Sequence, residues 1–363
     1  TMSKDTFNEA NYEQAIIELF TQQLGYEHIY GPDIVRDYTE PLFLDRLQQS
    51  LLAINPTLPA VAIQEAIDKI RQIDTGSLVQ RNEVFTDYLQ NGVDVSYFDG
   101  KEQHSACVRL IDYDHPLHNN FVVANQWSIE EHSVRRADII VFINGLPLVV
   151  MELKSPSRTE TNVSEAYAQL RNYMQEIPSL FVYNAFCVMS DLVTSKAGTI
   201  TSGEDRFMEW KTVDGQTEDN HFANFHVLFC GMFEQERLIE ILRDFICFSK
   251  EEKQSAKILA GYHQFYAVRK AITSVKEATT TNGKGGVFWH TQGSGKSLSM
   301  VFFAKCLQRA LSSPTIVVIT DRTDLDNQLF GQFSKCADFL RQVPVQAKSR
   351  KHLSELLDGI EAN

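Results

Sequence analysis

From Tyr12 to Leu24 the apolar residues Tyr12, Ala15, Ile16, Leu19, Phe20 and Leu24 recur at the spacing that gives a helix one inward face, and Gly25 ends the run. The stretch between Pro59 and Ile73 carries the same period. From Leu78 to Trp127 the pattern changes to short alternating or aromatic-rich runs broken at Asn91-Gly92 and Asp99-Gly100, which predicts strands and turns. The clearest local unit follows. Ile139 to Ile143 is a continuous apolar run, Asn144-Gly145-Leu146-Pro147 is turn chemistry, and Leu148 to Leu153 is a second apolar run, so the segment reads as a buried β-hairpin. A helix is predicted from Ser164, as its N-cap, to the break at Pro178, and a strand from Ala185 to Met189.

Residues 203–220 are polar and contain glycine, the composition of a surface loop, and helical spacing resumes from Glu234 to Phe248. The charged run Lys250-Glu251-Glu252-Lys253 then leads into a further helix through Arg269. Beyond a polar loop at Thr279 to Lys284 the chain reads strand (Val287 to His290), glycine loop, helix (Leu298 to Leu311) and strand (Thr315 to Thr320), a βαβ unit that implies a parallel sheet. A chain of 363 residues with 43% hydrophobic positions has material for two cores, and we expect domains over residues 1–248 and 249–363.

Chemistry narrows the picture. The six cysteines show no CxxC pair or zinc-like spacing, as expected of free thiols in a reducing cytoplasm. No stretch approaches the roughly 18 continuous apolar residues that span a bilayer, so no membrane association is expected. A net charge of −13 excludes a surface coated uniformly for phosphate binding. Any nucleic acid must meet local basic patches, for which Arg135-Arg136, Lys154 with Arg158, and Arg269-Lys270 are candidates.

His290-Thr291-Gln292-Gly293-Ser294-Gly295-Lys296-Ser297 ends in the Gly-Lys-Ser of a phosphate loop, placed between a predicted strand and a predicted helix. Such glycines let backbone N–H groups curl around the phosphates of ATP. Lys296 would reach the β- and γ-phosphates, Ser297 would bind Mg2+, and Gly293, Ser294 and Gly295 would form the cradle.

A Glu-x-Lys triplet is uninformative alone, and Glu209-Trp-Lys211 and Glu251-Glu-Lys253 show it. Glu152-Leu153-Lys154 differs because it closes the second strand of the hairpin while Asp138 opens the first. Residues two apart in a strand share a face, so Glu152 and Lys154 point together, and the turn folds Asp138 back beside them. Two carboxylates and an ammonium at one strand end suit a hard cation, Mg2+, with Asp138 and Glu152 as ligands and Lys154 placed to position water or stabilise charge. Gln169 and Tyr173 lie one helical turn apart on the following helix, hence on one face.

Asp138, Glu152-x-Lys154 and Gln169-x-x-x-Tyr173, in this order, resemble the motifs of PD-(D/E)xK nucleases of the RecB-like branch. The phosphate loop, with His290 in place of the first glycine, is similar to that of superfamily-two helicases. Gly261 to Val268 resembles the helicase Q motif, which implies that Gln264 reads an adenine edge, and Val317 to Arg322 resembles the motif Ia region that faces DNA. The whole arrangement, with the phrase Arg136 to Lys154, is similar to the restriction (motor) subunit of type I restriction-modification enzymes. That resemblance implies an α/β fold in which a PD-(D/E)xK nuclease domain, a mixed sheet flanked by helices, precedes an incomplete RecA-like parallel ATPase lobe. It also implies Mg2+ and ATP as cofactors, ATP-driven translocation and cleavage of double-stranded DNA, and modification and specificity subunits as partners. The N-terminal helix of such nucleases adds a carboxylate near the metal, for which Glu13 is the first choice and Glu18 the second. Type I motor subunits are longer and carry an Asp-Glu pair and a second lobe that do not follow Lys296 here, so the chain is expected to be a fragment without ATP turnover. Other readings are a type III restriction subunit, a repair nuclease–helicase fusion, or a non-catalytic docking module that has kept a nuclease fold.

Overall fold

The structure, a computed structural model, describes residues 9–154, 163–191, 193–218 and 225–359, so Arg158 lies outside the described residues. The chain divides into two compact units, Thr1–Arg243 and Asp244–Asn363.

In the first unit, helix α1 (Glu9–Glu18) runs into a π-helical turn (Leu19–Gln23) that buries Leu19 and Phe20. Strand β1 (Glu27–Tyr30) follows, then α2 (Leu44–Ile54), α3 (Ala60–Arg71) and α4 (Leu78–Asn91). The α4 segment corrects the expectation of strands from Leu78. Its buried positions Val79, Asn82, Phe85, Thr86 and Leu89 are three and four apart, and Ser77 with Gln80 forms a capping box, so local start chemistry and helical period outweigh the aromatic residues. Gly92, at φ +88°, ends the helix and releases the chain into the hairpin β2 (Val93–Phe98) and β3 (Gln103–Val108).

The core of this unit is a six-stranded mixed sheet in the order β1-β4-β5-β6-β7-β8, with β4 (Phe121–Glu130), β5 (Val134–Ile143), β6 (Leu146–Leu153), β7 (Phe186–Ser190) and β8 (Ser195–Gly198). Pairings β1·β4 and β6·β7 are parallel and the rest antiparallel. The predicted hairpin is β5–β6. Its turn is only Asn144 and Gly145, both left-handed at φ 52° and 79°, the two-residue geometry that matches strand twist. Leu146 and Pro147, expected in the turn, belong to β6. Pro147 is tolerated there because β7 begins its pairing only at Val149, which leaves that edge without a ladder bond to lose. Both faces of β6 are covered, which is why its sequence is apolar apart from Glu152.

Helices α5 (Val163–Glu176) and α6 (Pro178–Val182) form the crossover between the parallel strands β6 and β7. Ser164 lies inside α5 and donates its hydroxyl to Glu204, so it is not the N-cap. The 203–218 loop is pinned rather than free, since Phe207 and Trp210 are buried. Helices α7 (His226–Phe233) and α8 (Gln235–Asp244) close the unit.

In the second unit the helix expected to reach Phe248 stops at Asp244, and the β-branched and aromatic run that follows forms a hairpin, β9 (Ile246–Ser249) with β10 (Ala256–Leu259). Helices α9 (Tyr262–Ala278), α10 (Lys296–Ala310), α11 (Thr323–Lys335), α12 (Ala337–Leu340) and α13 (Arg350–Asp358) complete it. The expected strands Val287–His290 and Thr315–Thr320 are not strands, and no parallel sheet forms among the described residues of this unit. A parallel strand is held by ladders to its neighbours, and these runs have none, so Val287 and Ile319 stand 97% and 86% exposed. Among the described residues no helix is long and apolar enough to cross a membrane.

Candidate active site at the end of the central hairpin

Ile139 pairs with Met151, so one further step along the hairpin sets Asp138 level with Glu152. Opposed residues of an antiparallel pair share a face, which brings the two carboxylates together. Asp138 Oδ2 accepts the Leu153 backbone N–H at 2.9 Å, and Lys154 Nζ donates to Glu152 Oε1 at 2.7 Å. Glu152 is buried, and its Oε2 is left without a hydrogen bond of normal geometry. On the far side Lys154 N donates to Ser190 O at 2.9 Å, which ties the end of β6 to β7.

The electrostatics follow from burial. Desolvation first, then the Glu152 charge, pushes the Asp138 carboxyl up to about 8, with Glu9 and Glu13 adding to the rise. Glu152 is also raised by burial, against the lowering effect of Lys154, Tyr173 and Asp138. Burial opposes the Lys154 charge, but Glu152 and Asp138 outweigh it and hold the ammonium above its ordinary pKa. Tyr173 is raised by burial and by the same carboxylates, so its phenol stays protonated.

The expected neighbours converge here. Tyr173 is buried on α5, donates to Arg136 O at 3.1 Å and lies against the Gln169 amide. Glu13 on α1 is held by two amides, Asn125 Nδ2 on Oε1 and Gln126 Nε2 on Oε2, each at 2.6 Å. Glu18 instead faces solvent and takes a bond from Gln14. Of the basic candidates, Arg135 is tied to Glu176 rather than free for phosphate.

Sequence reasoning missed Asn125 and Gln126. Gln126 has a left-handed backbone at φ 54°, and the β4–β5 register runs from Asn125↔Ile139 to Trp127↔Ala137, passing over Gln126 and Asp138. A non-glycine residue in that region is uncommon and clusters at functional sites. No local pattern marks it, because the irregularity exists only once β4 and β5 pair.

In the second unit Gly293 and Gly295 take φ 80° and 82°, the left-handed turns that a phosphate loop needs, and α10 begins at Lys296. Lys296 Nζ donates to His290 O at 2.9 Å and to Thr291 O at 3.2 Å, folding back on the loop. Ser297 lies in the first turn of α10. Gln264 accepts from Gly261 N at 2.9 Å and donates to Gly295 O at 3.1 Å. It therefore braces the loop, and reading an adenine edge requires it to give up the Gly295 contact. The Ser294 hydroxyl is buried without a partner.

Residues 6–206 match the family described as Type I restriction enzyme R protein N terminus, and residues 263–363 match the family described as SWI2/SNF2 ATPase. The chain is 39% identical to the Type I restriction enzyme HindI endonuclease subunit of Haemophilus influenzae, across 96% of this chain and 35% of that protein. It is 33% identical to a protein of Methanocaldococcus jannaschii named for a type I restriction enzyme MjaIXP endonuclease subunit, across 86% of this chain and 33% of that protein. With the Staphylococcus aureus SauMSSORF170P endonuclease subunit it shares 27% identity across 87% of this chain and 32% of that protein. The chain spans about a third of the length of the curated relatives it matches.

Proposed function

This chain belongs to the family of type I restriction enzyme R (endonuclease) subunits, and from that membership we propose that the end of its central hairpin cleaves DNA phosphodiesters with the help of Mg2+. The observation that carries the reading is the buried Glu152 carboxylate beside Asp138, its Oε2 without a hydrogen bond of normal geometry, two carboxylates that resist ionising together. Buried charge of one sign calls for a compensating cation, and an all-oxygen donor set suits a hard one. Asp138 and Glu152 would hold it. When bound, Mg2+ lowers the pKa of coordinated water and neutralises charge growing on the phosphate oxygens.

The chain's own groups do the rest. Leu153 N–H fixes Asp138, and Glu152 fixes the Lys154 ammonium, which stays protonated and so offers its remaining N–H groups to a phosphate oxygen or to the attacking water. Tyr173, kept neutral, is a positioning residue through its tie to Arg136 O, with Gln169 beside it. Glu13, clamped by Asn125 and Gln126, supplies further negative charge at the mouth of the set.

Within the same reading Gly293, Ser294, Gly295, Lys296 and Ser297 bind Mg·ATP, with Gln264 bracing the loop. The complete subunit couples ATP-driven translocation to cleavage of double-stranded DNA, assembled with modification and specificity subunits. The test is Lys154→Ala in the full-length enzyme with its partner subunits. Cleavage should be lost while DNA-stimulated ATPase stays near normal, and retained double-strand cleavage would reject the assignment.

A further inference from the structure

Leading into β4, the loop from Asp112 to Asn119 places a carboxylate and two imidazoles at metal-ligand spacing, at a distance from the site above. We propose that Asp112, His115 and His118 form a second metal site, for a borderline divalent ion of the Zn2+ class, that fastens this loop to the turn of the central hairpin.

His118 Nδ1 lies 3.6 Å from Asp112 Oδ2, and His115 Nδ1 lies 3.7 Å from Oδ1. One ligand atom from each residue falls within 4.8 Å of the others. Donors about 2.0–2.1 Å from a tetrahedral Zn2+ are separated by roughly 3.3 Å, so each imidazole needs to approach the carboxylate by only a few tenths of an ångström, and turning the exposed rings brings their nitrogens together. The two rings stack with centroids 5.0 Å apart and planes 16° apart, so they approach the carboxylate side by side.

Asp112 is a built ligand rather than a surface acid. Its side chain is 6% exposed, and Oδ1 accepts the N–H groups of Asp114 at 3.2 Å and His115 at 3.0 Å. Oδ2 accepts no hydrogen bond from the described residues and points to the His118 imidazole. Capping the local turn needs only Oδ1, which leaves Oδ2, 3.6 Å from His118 Nδ1, available to a ligand. Arg109 approaches Oδ1 at 3.8 Å, but its charge is engaged by Asp114 at 3.0 Å. Imidazole nitrogens favour Zn2+ over Mg2+, and three protein donors leave a position for water.

The loop is braced on rigid backbone. Asn119 Oδ1 accepts from Asp112 N and from Asn144 Nδ2, each at 2.8 Å, and Asn144 Nδ2 also reaches Leu110 O at 2.9 Å. Asn144 is the hairpin turn, whereas Asp138 lies in the middle of β5, beside the end of β6. At about 3.3 Å per residue the two are roughly 20 Å apart. This site therefore stands or falls separately from the nuclease assignment.

The experiment is calorimetric titration of the full chain with Zn2+ in excess Mg2+, with Co2+ absorption and 15N imidazole shifts as readouts. One Zn2+ should bind, shift Nδ1 of both histidines and raise Tm. His115→Asn or His118→Asn should weaken it at least tenfold, and the double variant should lose it while keeping the metal-free Tm, since both rings are two-thirds exposed. Asp112→Asn, which keeps the Oδ1 cap, should also weaken it. Absence of Zn2+ binding, or binding unchanged in the double variant, overturns the proposal. So does binding that follows His104→Asn, which reports the cluster Asp99, Glu102 and His104 at the β2–β3 tip.

Discussion

The Lys154 ammonium lies 2.7 Å from one oxygen of Glu152 while the other oxygen of that carboxylate is buried without a hydrogen bond of normal geometry. A single cation thus neutralises one buried acid and leaves Asp138, level with it on the next strand, to compete for the same charge. This imbalance fixes what the metal-free site should do.

Asp138 has a folded-state pKa of about 8, above the ordinary carboxylate value near 4. Its folded form holds the proton more tightly, so its contribution to stability is full below pH 4 and is lost as pH rises toward 8. Asp138→Asn should therefore melt higher than wild type at pH 8 without metal, by about 2–4 °C for each kcal/mol of repulsion relieved, and the difference should vanish near pH 4. Mg2+ should raise the wild-type Tm more at pH 8 than at pH 5. Parallel melting curves for the two proteins across this range would show that the carboxylates do not repel.

Tyr173 combines packing with position, and two substitutions separate them. Tyr173→Ala empties a buried site and should cost about 3–5 kcal/mol. Tyr173→Phe keeps the ring and loses the bond to Arg136 O, at about 1 kcal/mol. Gln169 is half-buried against Tyr173, so Gln169→Ala should cost about 1 kcal/mol or less. If the helix face positions the site, the Phe and Gln169 variants lose cleavage in the folded enzyme. Wild-type cleavage by both would reduce the pair to packing.

The hairpin turn should tolerate nothing larger than glycine at 145. Gly145 has φ 79°, and an added Cβ would meet Leu47 N at 2.5 Å and Phe43 O at 2.6 Å. Gly145→Ala should cost at least about 1–3 kcal/mol from backbone strain, before the clash with α2. Urea denaturation measures this, and a loss under 0.5 kcal/mol would mean that the turn has relaxed.

This 363-residue chain should bind Mg·ATP weakly and not turn it over. The flanking runs Val287–His290 and Thr315–Thr320 are unpaired here, and Lys296 is bonded to His290 O and Thr291 O instead of being held toward a phosphate. Binding must first free that ammonium. Calorimetry with a phosphate-release assay, using Lys296→Ala as control, tests it, and steady turnover abolished by that substitution would contradict the expectation.

The sequence by itself determined what depends on neighbours in the chain. Period two set Glu152 and Lys154 on one face, Asn144-Gly145 set the turn that returns Asp138 to them, and helical spacing put Gln169 and Tyr173 together. The Gly-Lys-Ser ending at Ser297 marked the phosphate loop, and Gly293 and Gly295 take its left-handed backbone without strain. One local signal was misread, since the Ser77–Gln80 capping box and the helical spacing of Val79, Asn82, Phe85 and Leu89 already favour helix over strand. Tertiary structure decided the rest. The clamp of Asn125 and Gln126 on Glu13 appears only when β4 pairs with β5 and α1 packs beside them. Apolar runs at Val287 and Thr315 carry strand propensity, but a strand is made by its partners, and among the described residues these runs have none.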